Sequence, residues 1–469
     1  MVGRVYRVDT VGEGPRGRTS FEFDALDETR LDGEDVRGLF LSGEVAPFGL
    51  IRVLTTLPRF AKLFDAEPRE GGWYRLELTP REALGSGDPP KLTAWHAQLT
   101  EGGYTRQSRG YVTGFEFLSA DEEPPLKPLS AGLSPAKAQQ QAAIASAQFP
   151  EGAKPKTALV GWFPKTLKAP HGVKVHDVGQ ASFVTLFDGD DDPIAHFDAG
   201  WPIVFNGKTA PSNPPLCLTA PVILSHWDWD HLSGYYRFPT LQTVPWIAPI
   251  QQLGFGAGRI AAQLDALGLL AAFDEPPLAI NGLTLGLCHG PTGNKNQTGL
   301  ALRVTLPGQR LKGAQGPPRA VLLTGDADYD SVPAALTAQP LDALVVTHHG
   351  AHFDGQAPLG PAGGRGRAGD RLGRKGQCLQ APQGPSPPTP QPAQLDDRDD
   401  RRLGGQAPGP AMDHLSKPHP DQPPVAFGAT RDGIGLAKSL RQPNPMPGEA
   451  GRKPSWPGPQ KGARHAGAR

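Results

Sequence analysis

Positions 226–231 carry two histidines and two aspartates, His226, Asp228, Asp230 and His231, with Trp227 and Trp229 between them. Carboxylates this crowded repel one another and resist burial, so either they splay into water or a cation holds them together. Residues 221–224 are an apolar run that delivers the stretch as a buried strand would. A turn after such a strand points polar groups inward while the indoles pack the rim. That arrangement suits a metal site. The bland alternative is a polar, solvated loop, and the choice rests on whether further ligand types follow other strands.

With 469 residues the chain is long enough for more than one domain. A formal net charge of +0 gives no prior for nucleic acid or an anionic membrane. No stretch approaches the roughly 18 uninterrupted apolar residues that span a bilayer, so we expect a soluble, unexported, cytoplasmic protein with no membrane contact. Cys217, Cys288 and Cys378 form no Cys-x-x-Cys pair, which argues against a disulfide framework or a thiolate zinc site; Cys288 reads as a buried apolar thiol.

Stepping along the chain, residues 1–120 read as short strands and turns, a small β-rich accessory domain of unassigned role. Strands are expected at 38–41, 73–78 and 111–117, and a short helix at 59–64. A linker, 121–168, carries one helix at 136–145 with Ser134 and Pro135 at its start. Strands are then expected at 173–187 around a tight turn, at 194–200, 283–288, 319–324 and 341–347, with an amphipathic helix at 260–270.

Polar groups follow these strands in order: Asp177-Val178-Gly179-Gln180, Phe197-Asp198-Ala199-Gly200, the 226–231 stretch, Thr324-Gly325-Asp326 and His348-His349-Gly350. This series resembles the metallo-β-lactamase fold hydrolases, and the Ser-His-x-Asp-x-Asp-His form is similar to the soluble domain of ComEC-type competence proteins. Ala181 departs from it, standing where the family has glycine. The resemblance covers 169–354 and implies an α/β fold, the αββα four-layer sandwich, lacking its last strand and helix.

It also implies two divalent metal ions, manganese, zinc, magnesium or iron. His226, Asp228 and His289 would hold one; Asp230, His231 and one of His348 or His349 the other, with Asp326 shared and Asp198 bracing the loop from behind. His289 has an alternative reading as a loop histidine bonded to backbone. Asp230 and His231 are the expected catalytic residues. Two cations acidify a bridging water, and the aspartate at 228, a hard oxygen ligand, shifts preference away from zinc and favours activity that rises with pH. Hydrolysis of phosphodiesters, small-molecule or nucleic-acid, is the expected function, with no stable protein partner. A degenerate, non-catalytic scaffold or partner-binding protein is the alternative. Lys295, Arg303, Arg310, Lys312 and Arg319 either meet phosphate or are ordinary surface cations.

After Asp354 glycine, proline, arginine and glutamine take over, a composition that cannot bury enough apolar surface to offset its ordering entropy. Residues 355–469 therefore read as a disordered tail. Reading the codons for 374–383 one nucleotide later permits Gly-Lys-Gly-Asn-Val-Tyr-Lys-His-Pro-Lys, similar to the Asn-x-Tyr-x-His-Pro element with which the family continues. We expect a frameshift between 354 and 374, and a chain so terminated to be weakly stable or inactive.

Overall fold

The computed structural model describes residues 1–11, 17–31, 36–83, 92–119, 135–158, 169–215, 218–291, 293–308, 310–311 and 314–345. The chain divides into two compact units, Met1–Ser386 and Pro387–Arg469, and every described residue belongs to the first. The expected tail, its frame change, and His348 and His349 lie outside the described residues.

Six strands close into a barrel: β1 (Val2–Val11), β2 (Arg18–Leu26), β3 (Phe48–Thr55), β4 (Trp73–Pro80), β5 (Leu92–Thr100) and β6 (Gly103–Ser119), in the order β1-β2-β3-β5-β6-β4, with β4 pairing back onto β1. Alternate residues fill the interior, among them Val5, Phe21, Phe23, Ile51, Val53, Leu76 and Val112. Two short helices accompany it, α1 (Val36–Leu41) and α2 (Leu57–Phe64). Thr56 caps α2 by accepting from the Arg59 amide, and Phe60 closes the barrel core, its ring 5.2 Å from Phe21 and 4.8 Å from Phe115. The strand expected at 38–41 is instead the end of α1. Four residues are too few to separate a period of 2 from one of 3.6, and the helix lets adjacent Leu39 and Phe40 both reach the core.

The remaining described chain forms two larger sheets and a two-stranded hairpin. Helix α3 (Pro135–Ser146) leads to β7 (Lys154–Pro155), β8 (Gly172–Val175), β9 (Val184–Phe187), β10 (Pro193–Phe197) and β11 (Val222–Ile223). Then come α4 (Trp229–Leu232), α5 (Gly234–Arg237), β12 (Trp246–Pro249), α6 (Phe255–Ala266) and β13 (Leu270–Phe273), completing a seven-stranded sheet ordered β7-β13-β12-β11-β10-β9-β8. The five-stranded sheet, β14-β15-β16-β19-β20, takes β14 (Leu278–Ile280), β15 (Leu283–Leu287), β16 (Leu300–Leu306), β19 (Arg319–Leu323) and β20 (Ala343–Leu344). The hairpin β17 (Arg310–Leu311) and β18 (Ala314–Gln315) separates β16 from β19, and α7 (Ala334–Thr337) precedes β20. The result is an α/β architecture.

The two sheets meet face to face: Leu186, Phe197, Ile223, Ile247 and Phe273 pack with Leu285, Leu302, Val304 and Leu323. The alternate residues Val222, Leu224, Trp246 and Ala248 point the other way, into a core shared with α3, α6 and the barrel. Because β11 and β12 are buried on both faces, their sequence shows an apolar run without alternation.

The barrel is joined to the sheets by that shared core. Trp73 meets Phe255 edge-on at 4.9 Å, Tyr104 meets Trp229 at 4.7 Å, and Ala143 and Ala147 of the α3 region are buried with them. Asp24 of β2 accepts from the amides of Gly256 and Ala257, at 2.8 and 3.1 Å, so a barrel carboxylate caps α6. Burial pushes the Asp24 carboxyl up to about 6, and the two amides only partly offset this. Helix α6 therefore starts at Phe255, earlier than the expected 260. It ends before Gly268, whose φ of +66° is the left-handed conformation that stops a helix, and Leu270 begins β13. No described helix is long and apolar enough to cross a membrane.

Candidate metal centre

Strand β11 ends at Ile223 in the middle of the seven-stranded sheet, and the loop after it carries Ser225 to Asp228 into α4. Strand β10, its parallel neighbour, ends one residue before Asp198. At Asp198 the chain turns with φ of +60°, a conformation aspartate and asparagine tolerate better than most residues. Its two oxygens are both used: Oδ1 accepts the Ser225 amide at 2.7 Å, and Oδ2 lies 2.8 Å from Nδ1 of His231. Ser225 Oγ sits 3.0 Å from His226 Nδ1 and 3.2 Å from His231 Nδ1. Both imidazoles are thus held by their inner nitrogens, leaving Nε2 of each toward the site.

Strand β19 brings the third group. Past Leu323 the chain turns at Gly325, φ +57°, where a Cβ would stand 2.6 Å from the Ser225 side chain; only glycine lets the Asp326 loop come so close. The donor atoms of His226, His231 and Asp326 lie within 4.8 Å of one another, and all three residues are buried. His231 Nε2 is 3.2 Å from Asp326 Oδ1. Ligand atoms on tetrahedral arms of about 2.1 Å stand about 3.4 Å apart, so this spacing fits a shared cation. His226 Nε2, though buried, has no hydrogen-bond partner among the described residues, which leaves a lone pair for a ligand. Burial opposes charge on His231, but Asp326, then Asp198, then Asp230 outweigh it and raise that imidazole well above its ordinary pKa. A cation among these carboxylates would relieve the same excess of negative charge.

The other expected residues are placed differently. Asp228 is beside His226, its Oδ2 3.5 Å from Nε2, but its Oδ1 accepts from Lys295 Nζ at 2.6 Å. Burial alone would raise the Asp228 carboxyl; the Lys295 charge, with the His226 ring beside it, reverses this and lowers it. Asp230 Oδ1 is 3.8 Å from His231 Nε2, while Oδ2 accepts from Arg7 Nη1 at 2.9 Å. His289 does not join the cluster. Its backbone amide is tied to the Ser331 carbonyl, and its ring, 57% exposed, lies 3.1 Å from Glu275. It follows a strand as expected, but the loop after β15 turns its ring to the surface.

Lys295 and Arg303, expected either to meet phosphate or to be ordinary surface cations, are not surface cations: both are buried. Lys295 is buried with Asp228, and Arg303 donates to the carbonyls of Leu336, Gln339 and Pro340, closing the end of α7. The side chains of Arg310 and Lys312 lie outside the described residues. Cys288 is buried, and burial pushes its thiol up to about 12.

Sequence reasoning missed the barrel's share. A cleft of about 100 Å³ is lined by Tyr6, Arg7, Val8 and Glu70 from the barrel side and by Asp228, Asn296 and Asp326 from the sheets. It missed Gln297 too, which ties the turn before β16 to the loop after Asp326: its amide donates to Asp328 Oδ2 at 2.8 Å and accepts from the Asp328 amide and Ser331 Oγ.

No protein-family model matches the chain, and no curated protein does. Among solved structures the chain is similar to a metallo-β-lactamase of Cronobacter sakazakii with a HARLDQ motif, at a TM-score of 0.22 and 16% identity over 36% of this chain and 76% of that one. A motif mutant of the enzyme gives a TM-score of 0.23 and 18% identity over 36% and 75%.

Proposed function

We propose that the chain is a metal-dependent hydrolase of the metallo-β-lactamase type, with phosphodiesters as its substrate class. One observation carries this reading: the buried convergence of His226, His231 and Asp326 beside a cleft. The order of the five motifs and their similarity to ComEC-type domains support it, and the αββα description of the fold and the cytoplasmic location belong to the same proposal. His226, His231 and Asp326 would hold the ion, with Asp230 at its edge. When bound, a divalent cation supplies Lewis acidity, polarising the attacked group and acidifying water. The protein's own contribution is positional. Asp198 fixes the tautomer and direction of His231. Ser225 steadies both rings. Arg7 brings a guanidinium to the cleft wall, a geometry suited to phosphate oxygens.

The test is hydrolysis of bis-nitrophenyl phosphate, single-stranded DNA and a thioester side by side, with and without manganese, using Asp230→Ala as the control. Metal-dependent turnover of the first two, lost in the variant, is the expected result. Absence of turnover and of bound metal would favour a second reading, a non-catalytic scaffold. Its one supporting observation is that Asp228 and Asp230 each already pair with a cationic side chain.

A further inference from the structure

Lys295 reaches the site from the turn before β16 and is enclosed on several sides. Its ammonium lies 2.6 Å from Asp228 Oδ1 and 3.4 Å from the Trp227 carbonyl, and it faces the Tyr6 ring with 5.9 Å to the centroid. Its backbone is fixed as well: Gln251 donates to the Lys295 carbonyl at 2.8 Å and accepts from the Trp227 amide at 3.3 Å, clamping the lysine and the metal loop together. Both partners of the ion pair are nearly inaccessible, with side-chain exposures of 4% and 7%. A lysine held in this way is built into the interior.

We propose that Lys295 carries the positive charge a second divalent ion would otherwise supply, so that the chain binds one divalent cation, at His226, His231 and Asp326. The inference rests on the metallohydrolase reading and deepens it. Of the three groups expected to form a separate site around His226, Asp228 already has an oxygen committed to the ammonium, and His289 is on the surface beside Glu275. A second divalent ion near Asp228 would stand within a few ångströms of a buried ammonium, with too few ligands among the described residues to offset the repulsion. Lysine does not leave with chelation, so Asp228 stays charged, buried and oriented whether or not the remaining site is loaded.

Metal stoichiometry tests this on the full chain. The protein is stripped with chelator, dialysed against excess manganese chloride or, separately, zinc sulfate, desalted, and measured by inductively coupled plasma mass spectrometry. One equivalent per chain is expected, with the six-line electron paramagnetic resonance spectrum of isolated Mn(II). Two equivalents with a spin-coupled multiline spectrum would overturn the role of Lys295 and leave the hydrolase reading standing; no bound ion would overturn both. Lys295→Met, which keeps the stem and removes the charge, is expected to take up a second equivalent, whereas Lys295→Arg is expected to remain at one. Should Lys295→Met fail to fold by circular dichroism, the wild-type count and spectrum decide the matter.

Discussion

Arg7 of the barrel and Asp230 of the metal loop, 223 residues apart in sequence, meet with Nη1 2.9 Å from Oδ2. The pair joins the N-terminal barrel directly to the site in which hydrolysis is proposed. A cation bound as proposed would compete with Arg7 for the same carboxylate. Replacing Arg7 by methionine should therefore lower the melting temperature of the metal-free protein, through loss of a charged hydrogen bond worth about 1.5–3 kcal/mol, and enlarge the rise on adding manganese. Thermal melts with and without manganese measure both. A variant melting like wild type in both conditions would show that the contact does not matter.

Asp198→Asn tests how His231 is aimed. The left-handed backbone at 198 accepts asparagine, so the fold should survive, but the amide offers one acceptor where the carboxylate offers two. The Ser225 amide and the His231 ring then cannot both be satisfied. Loss of such a supporting partner typically lowers metal affinity about 10–100-fold. Competition with a chelating dye reads that constant; unchanged affinity in a folded variant would refute the bracing role.

How much of this was legible beforehand follows from where each signal lies. His226, Asp228, Asp230 and His231 stood out as a dense polar stretch after an apolar run, whereas Asp198, at the end of the neighbouring strand, and Asp326, which comes from the other sheet, were singled out only through the resemblance. The same reasoning failed at His289: a strand end fixes where a residue is, and the loop after it decides which way its ring turns. Lys295 stands between Asn294 and Asn296, a polar context that reads as surface, and its burial depends on Gln251, Trp227 and Tyr6 from three distant segments. Arg7 is one of two arginines in β1, and nothing local distinguishes it. The barrel itself was visible only as scattered strands, since closure is a property of pairings such as Val2 with Arg75.

The shared core makes a further expectation. Trp73 sits in β4, yet its ring is buried against Phe255 of α6. Trp73→Ala should cost about 3–5 kcal/mol by cavity formation. Because barrel and sheets bury surface against each other, unfolding in urea should remain a single transition shifted to lower midpoint. Circular dichroism and tryptophan fluorescence should give coincident curves; a barrel transition separate from that of the sheets would show that the two parts fold independently.

The last expectation concerns pH. His176 Nε2 and His196 Nδ1 both contact Thr185 Oγ1, at 2.7 and 3.0 Å, and burial lowers each imidazole to about 4. The unfolded chain protonates these histidines below about 6.5 while the folded chain does not. Their contribution is therefore complete above pH 6.5 and is lost as pH falls toward 4, about 3 kcal/mol for one histidine. Asp24, raised to about 6, acts in the opposite sense: the folded chain takes up its proton first, so stability from that group grows as pH falls below 6. The net curve from urea unfolding mixes the two, and His196→Phe separates them. The ring packs against Phe183 and its Nε2 has no hydrogen-bond partner among the described residues, so phenylalanine fills the position and gives up only the Nδ1 contact with Thr185, which His176 still makes. The variant should lose about 3 kcal/mol less than wild type between pH 7 and pH 4. Parallel curves for the two proteins would mean that His196 is not held neutral in the fold.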